Sequence, residues 1–144
     1  MAEAIMNRKG FPNFSGFSAG SHPTGRIHPG AINQIVEADL PTAGLRSKSW
    51  DEFARPDAPQ MHFVFTVCDR AAAEVCPVWA GHPLTAKWSV PDPAAVQGAA
   101  DEVRRAFWDA FTVLDRRIAL FLSLPLATLE QDVVQREIDR IGRS

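Results

Sequence analysis

The stretch His62 to Cys68, HFVFTVC, sets Phe63, Val64, Phe65 and Val67 in an almost unbroken apolar run, and nothing else in the chain restricts its fold as much. A short run with no polar face reads as a strand covered on both sides, as parallel strands are. Parallel strands need long crossovers, usually helical, and the remaining sequence supplies them. From about Ala99 to Leu122 the residues Val103, Phe107, Phe111, Leu114, Ile118 and Phe121 recur at helical spacing, which predicts a long amphipathic helix packed on a sheet. Thr128 and Gln131 open a last helix whose buried stripe is Leu129, Val133, Val134, Ile138 and Ile141. Leu84 to Trp88 reads as a second short strand. Alternating strands and helices predict an α/β fold with a parallel sheet.

The first third is less periodic. Ala2 to Asn7 reads as helix and Phe14 to Phe17 as a short strand ended by Ser18-Ala19-Gly20-Ser21. His28 stands at a cap position before Pro29, a favoured first helical residue, and Ala31, Ile32, Ile35 and Val36 give that helix its apolar face. Ser49 and Glu52 have capping-box spacing ahead of a short helix over Trp50 to Ala54. At 144 residues and 46% hydrophobic the chain is sized for one domain over 1–144. A net charge of −2 favours neither nucleic acid nor an acidic membrane as partner. The longest apolar run, Ile118 to Ala127, is broken by Ser123 and Pro125 and is too short to span a bilayer. Met1 to Gly10 lacks the apolar stretch of a signal peptide, so the expected compartment is the cytoplasm.

Candidate chemistry gathers at Cys68-Asp69-Arg70-Ala71-Ala72-Ala73-Glu74-Val75-Cys76, which holds both cysteines of the chain. Cys68 falls at the carboxyl end of the clearest strand, where open α/β sheets place their sites. On a continuous helix the two Cα atoms would stand about 12 Å apart, beyond the roughly 7 Å a disulfide allows. A bond between them needs a loop, or a helix that unwinds as it forms, and such a pair suits a switch. The competing reading takes Cys68 as a small buried hydrophobe and Cys76 as an incidental loop residue; spacing alone leaves both open. His22, His28, His62 and His82 are scattered without ligand spacing, so no metal or other cofactor is expected. Asp92 sits between two prolines in Val90-Pro91-Asp92-Pro93, a setting that suits a carboxylic acid held over a site and equally a turn that starts a helix. Trp79 and Trp88 are either pocket wall or core.

The run TVCDRAAAEVCPVWAGHPLTAKWSVPDPAAV, the upstream FSAGSHPTGRIHPGAI and LRSKSWDEF, and the downstream LFLSLPL together resemble thioredoxin-coupled arsenate reductases, which share the low-molecular-weight tyrosine phosphatase fold. The similarity runs from Ala2 almost to the last residue. It implies a three-layer α/β sandwich, a small parallel sheet flanked by helices. In such enzymes a cysteine on a C-x5-R loop attacks arsenate while loop amides and the arginine hold the oxyanion. The resemblance gives Asp92 the role of protonating the departing oxygen. It makes Cys68 the second thiol, which attacks the arsenic-bearing sulfur and releases arsenite, and Cys76 the third, which closes a disulfide with Cys68. Arsenate or a phosphate-like oxyanion is the implied substrate, and thioredoxin or a glutaredoxin-type dithiol the implied reductant.

The chain departs from that pattern at its start. Met1 stands directly before the helix carrying the family's Ala-Glu-Ala at residues 2 to 4, no cysteine precedes Cys68, and no C-x5-R occurs. The first central strand, the nucleophile and the oxyanion loop are missing from the pattern, which leads to the expectation of a start at an internal methionine and a chain inactive as it stands. Lesser departures are Arg70, Ala73 and Ser89, where the family has Asn, Gly and Gly; Arg70 beside Cys68 would favour its thiolate. In this fold the missing strand lies between the second and third, so a slot two strand spacings wide is expected between Phe14 to Phe17 and His62 to Cys68. Three outcomes follow: rearranged strands, a second copy filling the slot as a homodimer, or a marginal fold. The alternatives to a reductase are a noncatalytic, partner-binding or redox-sensing relative and a plain tyrosine phosphatase.

Overall fold

The computed structural model describes residues 1–68, 79 and 81–144. Among these residues, four α-helices and two strands follow one another as α1 (Ala2–Lys9), α2 (Pro29–Glu37), β1 (Phe63–Thr66), β2 (Leu84–Lys87), α3 (Ala100–Leu122) and α4 (Gln131–Gly142), with 3₁₀ turns at Trp50–Phe53 and Pro93–Ala95. The class is α/β, as expected. β1 and β2 pair in parallel with Phe63 opposite Leu84 and Thr66 opposite Lys87.

Burial of aromatic and branched side chains holds the sheet to the two long helices. Trp88, just past β2, is almost fully buried, and its ring stacks on Phe65 at 3.9 Å. Phe121 of α3 meets Phe14, Phe63, Phe65 and Trp88 edge-on. Each such side chain contributes roughly 1.5–3 kcal/mol by leaving water, and edge-to-face contact adds about 0.5–1.5 kcal/mol per pair. The indole Nε1 of Trp88 donates to the Ile138 carbonyl at 2.9 Å, so the ring buries no orphan donor. α4 lies close on β2. A Cβ on Gly142 would fall 2.2 Å from the Lys87 carbonyl oxygen, so that approach requires a residue without a side chain.

Several expectations need correction. Phe14 to Phe17 is not a strand. The side chain of Asn7 takes the Gly16 N–H (2.7 Å) and donates to its carbonyl (3.1 Å), and Glu3 takes the Ser18 N–H (2.9 Å). Backbone groups that a ladder would use are bound by α1 side chains instead, while Phe14 turns into the core. The predicted slot therefore has no strand on that side. β1 itself is half-buried along its length rather than covered on both faces, and on β2 Thr85 and Lys87 are exposed. His62 and Thr66 give their carbonyls to Leu84 and Trp88, so Phe63 and Phe65 turn their amides and carbonyls to the opposite edge. Among the described residues those groups have no backbone partner.

On α2, Ile35 is buried as expected, but Val36 is 57% exposed and Gln34 takes its place inside. His28 caps this helix, its Nδ1 accepting from Gly30 N–H at 2.9 Å. The expected capping box at Ser49 does not form, although Ser49 still caps the turn. Ser49 Oγ accepts from Asp51 N–H at 3.2 Å, while Glu52 turns away to fork with Arg46; two charge-assisted bonds outweigh one to a backbone amide. α4 starts at Gln131 after Glu130 with no side-chain cap, because Thr128 donates back to Pro125 instead.

Candidate functional site

The carboxyl ends of β1 and β2 form one edge of the sheet. Cys68 lies two residues past β1 and is half-buried. Beside it the chain leaving β2 is bonded on through Trp88 N–H to Thr66 (2.8 Å) and Val90 N–H to Val67 (3.0 Å). The pairing thus continues beyond the strands and brings Cys68 and the Pro91-Asp92-Pro93 turn out of the sheet at the same end. Cys76 lies outside the described residues, as do Arg70 and Ala73.

Asp92 is exposed, and one of its oxygens accepts from Ala94 N–H at 2.9 Å, capping the 3₁₀ turn that Pro93 begins. This is the helix-starting role that Asx-Pro sequences favour. The turn packs on α3, which fixes where the carboxylate stands. Ser89 has a backbone conformation open to any side chain, for among the described residues Asp39 and His82 are the non-glycine ones with positive φ. Its departure from glycine carries no backbone strain.

Arg117 organises this edge, and the sequence reading passed over it. It sits in the apolar stripe of α3 between Leu114 and Phe121, and it is buried. Its guanidinium donates to main-chain oxygens of Trp88 (2.8 Å), Ser89 (3.3 Å) and Ser144 (3.1 Å), while Nε has no partner among the described residues. Burial, and to a lesser degree the neighbouring Arg116 charge, pushes its pKa below the ordinary arginine value. The interaction clamps the segment that delivers Asp92. The signal was available in the sequence: a lone arginine at a core position of a helical stripe, where a charge is buried only with partners.

The other singled-out residues separate. Trp88 is core, whereas Trp79 meets Trp50 edge-on with ring centroids 6.3 Å apart. His62 and His82 are exposed, and His28 is a helix cap. No group of three His, Cys, Asp or Glu suited to a metal ion occurs among the described residues, and no helix there is long and apolar enough to cross a membrane.

The two upstream motif stretches fold against each other. Gly20 and Ser49 form a parallel bridge, Gly20 N–H donates to Lys48 at 2.9 Å, and Gly25 N–H to Ser47 Oγ at 3.2 Å. A nearly buried ion pair ties this unit to α1: Lys48 Nζ stands 3.5 Å from Glu3 Oε1, with side chains only 6% and 11% exposed. Two cavities border it, one of about 240 Å³ against Arg26 and one of about 820 Å³ between α1 and residues 41–59. Neither is lined by Cys68 or Asp92.

A family model described as low molecular weight phosphotyrosine protein phosphatase matches residues 1–135. No curated protein matches the chain.

Proposed function

This chain belongs to the low molecular weight phosphotyrosine protein phosphatase family, and within it we propose an arsenate reductase-type role in which Cys68 and Cys76 are the resolving thiols of a relay. The observation that carries this reading is the common exit of Cys68 and Asp92 from one end of a parallel strand pair, with the second cysteine eight residues on in sequence. A phosphatase needs an acid but has no use for two further thiols.

On this reading a thiolate bonded to arsenic is attacked at sulfur by the Cys68 thiolate. The sulfur–arsenic electron pair passes to arsenic, which leaves reduced from the +5 to the +3 state as arsenite. Cys76 then attacks the Cys68 sulfur, expels the first thiolate and completes a Cys68–Cys76 disulfide, which a thioredoxin-type dithiol reduces. Asp92 protonates the oxygen that departs when arsenate is first captured. The 144 residues contain no C-x5-R and no thiol besides these two, so the capturing thiolate and its oxyanion cradle are not assigned to any residue of this chain. Loss of even one oxyanion donor typically costs ~100-fold or more in rate, so arsenate turnover by this polypeptide alone is expected to be absent.

The test is differential alkylation and mass spectrometry of the chain after mild oxidation. The expected product is an intramolecular Cys68–Cys76 disulfide that thioredoxin reopens, and Cys76→Ser should leave Cys68 trapped as a mixed disulfide with an added thiol. Two cysteines that stay independently alkylable would sink the relay. Hydrolysis of an aryl phosphate by the chain, with no disulfide formed, would move the assignment to the plain phosphatase reading.

A further inference from the structure

The larger cavity, about 820 Å³, falls within the range typical of small-molecule sites, and the thiol relay makes no use of it. Its wall concentrates exposed aromatic surface. Phe11 is 79% and Phe17 48% exposed, and both line it together with Phe53, whose ring lies 5.7 Å from that of Phe17 in a tilted pair. Val36, Val96, Trp108 and Leu120, the other large exposed apolar residues described, line neither cavity.

The charges on the wall divide into engaged and available. Arg46 is forked to Glu52, and Lys48 is paired with Glu3. The Arg8 guanidinium makes one long hydrogen bond, 3.4 Å to the Asp39 carbonyl, and the Arg55 guanidinium has no ion pair or hydrogen bond among the described residues, only a longer-range attraction to the Glu52 carboxylate. Two guanidiniums are thus available to an anion beside exposed aromatic rings. Of the acids on the same wall, Glu3 and Glu52 are held by Lys48 and Arg46, and Asp57 remains, so two guanidiniums against one carboxylate leave a single positive charge, which suits a monoanion better than a dianion.

We propose that this cavity binds a planar aromatic monocarboxylate, its ring against Phe17 and Phe53 and its carboxylate on Arg8 and Arg55. Offset or edge-on ring contact supplies the apolar part, and a guanidinium fork matches the geometry of a carboxylate. Cys68, Cys76 and Asp92 take no part, so the proposal stands or falls apart from the thiol relay.

The experiment is an NMR titration of the full chain with 2-naphthoate, alongside the neutral 2-naphthalenemethanol and the dianionic 2-naphthyl phosphate. Saturable shifts should be confined to α1, Phe11 to Phe17 and residues 41–59. Naphthoate should bind about tenfold more tightly than the alcohol, a modest factor because the contacts are partly exposed to water. The double variant R8A/R55A should abolish that preference and leave binding of the alcohol unchanged. Phe17→Ala should weaken both ligands by about three- to tenfold. All three substituted residues are exposed, so folding, checked by circular dichroism, should survive. The proposal is overturned by any of four results: no saturable shifts, shifts centred elsewhere, equal affinity for acid and alcohol, or tighter binding of the dianion.

Discussion

Two parts of this molecule reach their structure by different means. In the carboxyl-terminal part, β2, α3 and α4 enclose Trp88, Phe121 and Ile138 in a packed apolar core. In the part from Phe11 to Phe53, the chain is held by Asn7 on Gly16, Glu3 on Ser18 and Lys48, and Ser47 on Gly25. The first part depends on area removed from water, which many neighbouring residues share. The second depends on a few polar contacts, each of which leaves a costly orphan when one partner is removed. Substitutions should therefore act by different routes in the two parts.

The largest effect is expected in the core. Phe121→Ala removes a ring that meets four other aromatic rings, and should cost about 3–5 kcal/mol in urea denaturation. A loss below about 1 kcal/mol would mean that the core is not packed around this side chain.

Next comes the ion pair on which the polar part hinges. Lys48→Met leaves the Glu3 carboxylate nearly buried without its cation, and should cost about 3 kcal/mol. Glu3→Gln added to Lys48→Met should recover part of that loss, since the stranded charge is gone. If the double variant is no more stable than Lys48→Met alone, the penalty did not come from the stranded carboxylate.

Arg117→Met tests a place where the two means combine, a polar clamp within the apolar core. The Trp88 and Ser89 carbonyls lose their donor, at an expected cost of about 1–3 kcal/mol. Amide shifts at Val90, Asp92, Ala94 and Ala95 should report a displaced Asp92 turn. Unchanged shifts there would reduce Arg117 to a stability element with no bearing on the site.

This division also explains what could be read from the sequence. α3 and α4 were legible because Phe107, Leu114, Ile118 and Phe121, and then Val134, Ile138 and Ile141, repeat at helical spacing and are buried. The strand at His62 to Cys68 was legible for its apolar run, and Leu84 to Trp88 as a second short stretch ending before a proline loop. Phe14 to Phe17 was misread because one phenylalanine enters the core and the other faces solvent, and because the backbone between them is claimed by Asn7 and Glu3, far away in pattern though near in space. No periodicity encodes such contacts. For the candidate site, Cys68 was legible as the residue at the end of a strand and Asp92 as an acid between two prolines, but the cap that Asp92 makes was only one of two readings. Arg117 was overlooked because the stripe was read for its apolar members alone.

The smallest expected effect concerns Arg46 and Glu52, an exposed arginine and a half-buried glutamate that illustrate how little some polar contacts in the loop part weigh. The fork to Arg46 is the main reason the Glu52 carboxyl lies below its ordinary value of 4.5, with Arg55 and Lys48 adding to it. A carboxyl with a depressed folded pKa binds fewer protons when folded than when unfolded just below pH 4.5. Its contribution to stability is therefore present above that pH and is lost as pH falls through the folded value. Arg46→Met should return the Glu52 titration, followed by side-chain NMR, most of the way to the ordinary range. At neutral pH it should change stability hardly at all, because water and salt screen a pair at the surface. If Arg46→Met instead unfolded the 41–59 segment, Glu52 would be a second anchor of the loop part, comparable to Glu3, and its fork with Arg46 would have to be counted as structure rather than surface.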